Sequence, residues 1–248
     1  MKTKNKLFSN KIIKFASLDS TQNYAKQLAK QGKPEGTLVI AEQQTAGRGR
    51  FRRPWDSPLG GLWFSFLLYP KNLSAKLSLI TLISALSVLQ AIRKIVKLEP
   101  MIKWPNDLWI EGKKVCGILT EAGWKAENLA WVVVGIGVDV NNPISPGLLQ
   151  KAGSLSELSG EKIPISELFI EILNQLDAYY ARLKAGKEKS VLAEVKKYSL
   201  VIGKEVLIEN SHRFIRGKAI DLAADGALVL STAKGEEKII SGEINLIY

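Results

Sequence analysis

Residues 43–61, QQTAGRGRFRRPWDSPLGG, lie between two apolar runs, 38–41 (LVIA) and 62–69 (LWFSFLLY). Short apolar runs bounded by turn residues read as buried strands, so the chain has to hold a glycine-arginine loop at the end of two core strands. Gly47, Arg48, Gly49 and Arg50 alternate, and Arg52 and Arg53 follow. Glycine leaves backbone N–H groups open to an anion. Arginine stays charged and offers a planar fork that matches phosphate or carboxylate. Trp55 adds a flat surface on which a base can stack, and Pro54 and Pro58 restrict the unbound loop. Arg–Gly runs also occur in disordered RNA-binding tails, but those repeat, whereas this one occurs once, between strands. The segment points to a site for a small anionic ligand.

The 248 residues, 46% of them hydrophobic, suffice for a full core in one or two domains. Lys and Arg number 35 against 24 Asp and Glu, a formal +11, which suits an acidic partner: nucleic acid, nucleotide or acidic protein. Part of that charge is scattered lysine, such as Lys2, Lys4 and Lys6. Cys116 is the only cysteine and His212 the only histidine. No internal disulfide, cysteine-based zinc site or multi-histidine metal centre can form. A Ser-His-Asp triad is nearly excluded, because its one base would have to come from the C-terminal segment. The basic N-terminus is followed by neither an apolar core nor a small-residue cleavage site, so no signal peptide is expected. The apolar run 77–96 is interrupted by Ser78, Thr81, Ser84, Ser87, Gln90, Arg93 and Lys94; it reads as a buried helix, not a membrane span. A cytoplasmic protein with no membrane partner is the expectation.

The remaining elements follow from patterning. Residues 12–16 read as a strand, and Asp19-Ser20-Thr21 as a cap for a helix over about 22–31, stopped by Gly32 and Pro34. On their own Ser20 and Thr21 read as helix caps, and a helix start is also a place to bind a polar ligand head. Leu77, Ile80, Ile83, Leu86, Leu89, Ile92 and Val96 keep helical spacing. In the strand opened by Met101, Pro105 forces Trp104 out of the helical region, which presents Asn106 and Asp107 on a turn. Residues 108–110 and 114–121 form a hairpin around Glu111-Gly112. Residues 131–140 make another strand, in which Gly135 and Gly137 mark a close approach of ligand or backbone. Ser166 is expected to cap a helix over 167–184, ended by Gly186, with a further helix over 188–198. From about Leu200 short β segments take over, at 205–208, 214–221, 227–230 and 237–240, with turns at Asn210-Ser211, Asp225-Gly226 and Lys234-Gly235. They suggest a small barrel.

The chemistry-bearing residues are the glycine-arginine loop, the turn at 103–107 and Lys114. Arg and Lys cancel charge on phosphate oxygens, and a carboxylate such as Asp107 can hold Mg²⁺ or take a proton from an amine. No residue looks like an activated covalent nucleophile, so a reaction here would work by positioning and charge stabilisation.

GRGRFRRPW, KWPNDLWIEGKKVCGIL and VGIGVDVN, in that order, resemble the catalytic core of the biotin protein ligases, and Asp19-Ser20-Thr21 and DGALVL…SGEINL match as well. The resemblance covers about residues 12–248. It implies an α+β fold: a mixed, largely antiparallel sheet packed with helices, like the class II aminoacyl-tRNA synthetases, over 1–199, plus an SH3-like β-barrel over 200–248. It also implies a reaction: biotin and MgATP give biotinyl-5′-AMP, and biotin is then transferred to one lysine of a biotin carboxyl carrier protein. The resemblance assigns Ser20, Thr21 and Gln44 to the biotin rings, with Gly47 in the same site. It assigns Arg48 and Arg50 to the carboxylate and phosphate side, and Arg53 to the ATP phosphates, with Lys103 and Asn106 beside them. Trp55 packs near adenine as the loop closes, Lys114 sits on the bond being made, and backbone at Gly117 touches biotin. Asp107 orients metal or the incoming lysine.

The family usually has Asn where this chain has Asp139, and a negative charge there is unfavourable beside phosphate without a compensating cation. Regulatory members carry an N-terminal helix-turn-helix; here the core begins within the first dozen residues, so a monofunctional enzyme without specific DNA binding is expected. The resemblance admits a homodimer. The rival readings are a lipoate or octanoate ligase of similar fold, against which the intact motifs argue, and a basic nucleic-acid-binding protein, which lacks a recognition helix or aromatic-studded strands.

Overall fold

The computed structural model describes residues 7–8, 11–70, 77–210 and 213–247, with the side chain of residue 210 left out. Lys2, Lys4, Lys6, His212 and the Ser211 half of the expected turn lie outside the described residues.

The larger sheet is built from β1 (Ile12–Leu18), β2 (Leu38–Gln44), β3 (Leu62–Leu68), β4 (Met101–Lys103), β5 (Asp107–Ile110), β6 (Lys113–Lys125) and β7 (Asn128–Val138). Its order is β1-β2-β3-β7-β6-β5-β4. Only β1 and β2 run parallel; the other pairs are antiparallel. Alternation along β3 sorts the two faces. Leu62, Phe64, Phe66 and Leu68 join the main core with α2 (Leu77–Ile95), α4 (Ile165–Lys184) and α5 (Glu188–Lys197). Leu67 faces the other way, onto Ala25, Leu28 and Ala29 of α1 (Thr21–Lys30). Helix α2 is long and apolar enough to cross a membrane, yet two-thirds of its most apolar window is buried inside this protein.

Ser20 caps α1 as expected, its side chain accepting from the Asn23 N–H. Ser166 does not cap α4: the helix starts at Ile165 behind Pro164, with no side-chain cap bond. Proline at that point fixes φ and supplies no N–H of its own, so the chain enters the helix without a capping hydroxyl. A short helix absent from the sequence expectations, α3 (Leu155–Ser159), is capped by Ser154.

The second sheet contains β8 (Glu205–Asn210), β9 (Arg213–Leu222), β10 (Leu228–Thr232), β11 (Gly235–Ile239) and β12 (Glu243–Leu246), all antiparallel, in the order β11-β10-β9-β8-β12. Its inward residues, Val206, Ile208, Ala219, Leu228 and Leu230 among them, belong to the same apolar cluster as α2 and α4. The Trp104 indole N–H donates to the Gly226 carbonyl at 3.0 Å, so the small sheet is fixed against the turn that carries the KWPND sequence.

Candidate active site

Strand register gathers the motifs. Reading across the sheet, Lys103 of β4 pairs with Asp107 of β5, Asp107 with Gly117 of β6, Gly117 with Gly137 of β7, and Gly137 with Trp63 of β3. One row along, Leu119 pairs with Gly135, and Gly135 with Ser65. Cross-strand partners project to one face. Segments far apart in sequence thus meet in a single line, and the glycines in it leave bare backbone where neighbours would fill the space. A cavity of about 550 Å³ opens over this row.

Its polar end is built by α1 and β2. The Thr21 hydroxyl meets Gln44 Oε1 at 3.1 Å and Ser65 Oγ at 2.9 Å, and the Gln44 amide donates to Ser57 Oγ at 2.8 Å. Gly47 is dictated by space, since a Cβ there would sit 2.4 Å from the Trp55 carbonyl. Arg48 turns to the cavity wall. It donates to Glu121 Oε2 at 2.6 Å and to Asn23 Oδ1 at 3.2 Å. Glu121 also receives Gln22 at 3.0 Å and Lys26 at 3.3 Å. Burial alone would raise this carboxyl; the bonds from Gln22 and Arg48, with the charges of Arg48 and Lys26, outweigh it and hold Glu121 below the usual carboxylate range. Gln22 and Glu121 were not among the residues expected from sequence. The available signals were that Gln22 follows Thr21 and that Glu121 shares the two-residue alternation of Gly117 and Leu119.

The cationic end is built by the loop, the Lys103–Asp107 turn and β6. Phe51 and Arg52 at the loop tip both have left-handed backbone, φ 55° and 59°, a strain of about 1–3 kcal/mol each. The bonds of the flanking arginines hold it. Arg50 donates to Asn106 Oδ1 at 2.9 Å and to the Gly242 carbonyl at 3.2 Å. Burial lowers the pKa of its guanidinium, opposed by Asp107 and Glu243. Arg53 makes a two-pronged pair with Glu243, at 2.8 and 2.5 Å, and that pair holds Glu243 below the ordinary range. Lys103 lies 4.4 Å from the Trp109 ring centre, and burial lowers its pKa. Lys114 Nζ is 2.8 Å from Asp107 Oδ1 and 5.0 Å from the centre of the Trp55 ring. That ring lies on the glycines: a Cβ would approach it to 2.9 Å from Gly117 and to 2.5 Å from Gly137. Trp55 thus covers the Gly117 backbone.

Among the described residues no three His, Cys, Asp or Glu side chains gather into a metal cage. Asp107 is the carboxylate in the row of motifs. One carboxylate suits Mg²⁺ brought in on phosphates, since that ion commonly keeps one or two protein carboxylates and completes its shell with phosphate and water. Asp139 also faces the cavity. Burial raises its carboxyl to about 7, against an opposing bond from Asn142 and the charge of Lys114.

A mixed sheet whose glycine-bared face is ringed by Arg and Lys defines a protein that binds a small anionic substrate by backbone and charge. Residues 14–139 match the model of the biotin/lipoate A/B protein ligase family, and residues 201–246 match that of the biotin protein ligase C-terminal domain. The chain is 36% identical to the bifunctional ligase/repressor BirA of Bacillus subtilis, over 98% of this chain and 76% of that protein. It is 27% identical to a biotin–[acetyl-CoA-carboxylase] ligase of Paracoccus denitrificans, over 92% and 98% of the two. The biotin protein ligase of Aquifex aeolicus in complex with biotin and ATP superposes with a TM-score of 0.85 at 32% identity, covering 96% of this chain and 99% of that one. The chain belongs to the biotin protein ligase family.

Proposed function

We propose that this chain is an ATP-dependent biotin protein ligase. The biotin carboxylate attacks the α-phosphorus of ATP, a C–O–P bond forms, and the bond to pyrophosphate breaks. A lysine amine of a carrier protein then attacks the acyl carbon and AMP leaves. The observation that carries this reading is the cross-strand row Lys103–Asp107–Gly117–Gly137 with Lys114 beside it. It offers a bare backbone trough for an extended ligand and cations where two anions must meet.

Each side chain receives a role on physical grounds. Ser20, Thr21, Gln44 and the backbone of Gly47 hold the biotin rings, because the Thr21–Gln44–Ser65 network is the buried polar end of the cavity. Arg48 and Lys114 screen the approaching carboxylate and phosphate from each other. Preorganised cations of this kind commonly contribute about 10²-fold or more to rate. Arg50, Arg53, Lys103 and Asn106 hold the nucleotide phosphates. Trp55 leaves Gly117 as biotin arrives and packs against adenine. Asp107 would be the protein oxygen for a Mg²⁺ carried on the ATP phosphates, and the ion would offset charge on their oxygens. After the adenylate has formed, Asp107 also orients the incoming lysine. Closing the loop excludes water from an adenylate prone to hydrolysis.

The acceptor we propose is a biotin carboxyl carrier protein, the compartment the cytoplasm, and the assembly a homodimer, which sedimentation of the purified chain reads. We place the boundary between the catalytic part, 1–199, and the C-terminal part, 200–248. The small sheet acts as a lid partner through the Arg50–Gly242 and Arg53–Glu243 contacts. Release of pyrophosphate that depends on biotin tests the first step, and pyrophosphate exchange driven by lipoate or octanoate in place of biotin would replace the reading.

A further inference from the structure

Gln22 is the second residue of α1, at the buried polar end of the cavity, and is 3% exposed. Its surroundings fix which way its amide points. Nε2 faces three acceptors: Glu121 Oε2 at 3.0 Å, the Val133 carbonyl at 3.2 Å and the Leu119 carbonyl at 3.4 Å. Oε1 is therefore turned the other way, and it is a buried oxygen without a hydrogen-bond partner. It lies over Gly135, beside Ser65: a Cβ on that glycine would sit 2.6 Å from Gln22 Oε1 and 3.2 Å from Ser65 Oγ. The bare glycine leaves room beside the oxygen, and Gln22, Ser65 and Gly135 all line the cavity.

The neighbouring hydroxyls have a direction too. The Thr21 backbone N–H donates to Gln44 Oε1 at 2.9 Å, which fixes the Gln44 amide. The Thr21 hydroxyl spends its own proton on the same oxygen, at 3.1 Å. In its 2.9 Å contact with Ser65 it can then only accept, so Ser65 donates. With that proton used, Ser65 Oγ and Gln22 Oε1 offer the cavity lone pairs alone. The deep wall is acceptor-only: it suits an N–H and repels a carbonyl or ether oxygen. The cost of burying Gln22 Oε1 unpaired is already borne by the fold. An N–H that reaches it gains a bond without stripping water from the oxygen.

Building on the ligase reading, we propose that Gln22 is a specificity-determining residue: its Oε1 accepts a ureido N–H of the biotin rings, so the site selects acids that carry an N–H donor at the end away from the carboxylate. The ureido ring has two N–H groups and one carbonyl, and an acceptor-only wall sets which edge of the ring enters first. Lipoate ends in a dithiolane and octanoate in a methyl group, so both leave Oε1 unpaired. A site built around a buried hydrogen-bonding group separates ligands more sharply than one that measures size alone.

The test pairs a change in the ligand with a change in the protein, which isolates the one contact. The ligands are biotin and two cyclic-carbamate analogues, in each of which a ring oxygen replaces one ureido N–H. The proteins are the full chain and Gln22→Met, which keeps the volume and loses the amide. Equilibrium binding without ATP reads Kd. In the parent, one of the two analogues should bind about tenfold to a hundredfold more weakly than biotin. In Gln22→Met that gap should close to within about threefold. Any loosening of the Glu121 network by the substitution weakens all three ligands alike and leaves the gap as it was. The same gaps in both proteins therefore overturn the proposal alone. Absence of biotin binding by the parent overturns the ligase reading with it. Should Gln22→Met not fold or not bind, proton NMR of the parent holding biotin labelled with ¹⁵N reads the contact directly. A nuclear Overhauser contact between one ureido N–H and the Gln22 side chain is expected, and its absence overturns the proposal.

Discussion

Arg50→Gly should let the adenylate escape. In the structure Arg50 spans three parts: its own loop, Asn106 at 2.9 Å and the Gly242 carbonyl of the small sheet at 3.2 Å. Substitution removes one guanidinium from the phosphate and, with it, the tether of a loop tip strained at Phe51 and Arg52. A charge-assisted hydrogen bond is worth about 1.5–3 kcal/mol. Losing one from the bound adenylate raises its off-rate about tenfold to a hundredfold, and loosening of the tip adds to this. Adenylate should still form, because Arg48 and Lys114 remain, and it should then acylate exposed lysines of unrelated proteins. Arg53→Ala provides the contrast. The ATP phosphates that Arg53 is assigned to leave as pyrophosphate before the adenylate is held. Its pair with Glu243 is largely exposed, and such pairs contribute about 0–1 kcal/mol, so adenylate release should rise less than about fivefold. The assay preloads each protein with labelled biotin and ATP and follows release by rapid filtration beside a bystander protein. Equal release from parent and Arg50→Gly, with the bystander unlabelled, would refute the assignment of Arg50 to the lid.

Three further outcomes follow from the geometry. Lys114→Ala should fold and lose about 10²-fold or more in pyrophosphate release; a folded variant near the parent rate would remove Lys114 from the reaction. Gly137→Ala brings a Cβ to 2.5 Å from Trp55 Nε1, so the indole should leave its seat and its emission change, at a stability cost of about 1–3 kcal/mol. Gly147→Ala, with nothing within 4 Å of the added carbon, is the control. In urea titrations, Asp139 should make the parent lose stability relative to Asp139→Asn as the pH rises from 3.8 to about 7. The folded carboxyl holds its proton more tightly than the unfolded one, so its contribution is full below the unfolded pKa and lost through the folded one. Parallel stability curves would mean the carboxyl is not buried uncharged.

The local elements were legible where one physical signal dominates. The helical spacing from Leu77 and the apolar runs at 38–41 and 62–69 gave α2, β2 and β3, and Ser20 gave the start of α1. Ser166 misled, because proline at 164 already sets the entry to α4. Helix α3 is only five residues long, too short for a period to show, although Ser154 followed by Glu157 carried a capping signal. The motifs named the cavity's cations, but the face on which they meet depends on which strands pair and in which register. The facing of Gly117 and Gly137 across β6 and β7 is such a non-local fact. So are the Arg48–Glu121 and Arg53–Glu243 pairs, which join residues 73 and 190 positions apart.

The most direct measurement of the central claim is the mass of a biotin carrier domain after incubation with this protein, biotin and MgATP. The account predicts a gain of one biotinyl group on one lysine, with pyrophosphate released in step, and no gain when biotin or ATP is omitted. A carrier of unchanged mass beside an active, folded protein, or an equal gain when lipoate or octanoate replaces biotin, would contradict it.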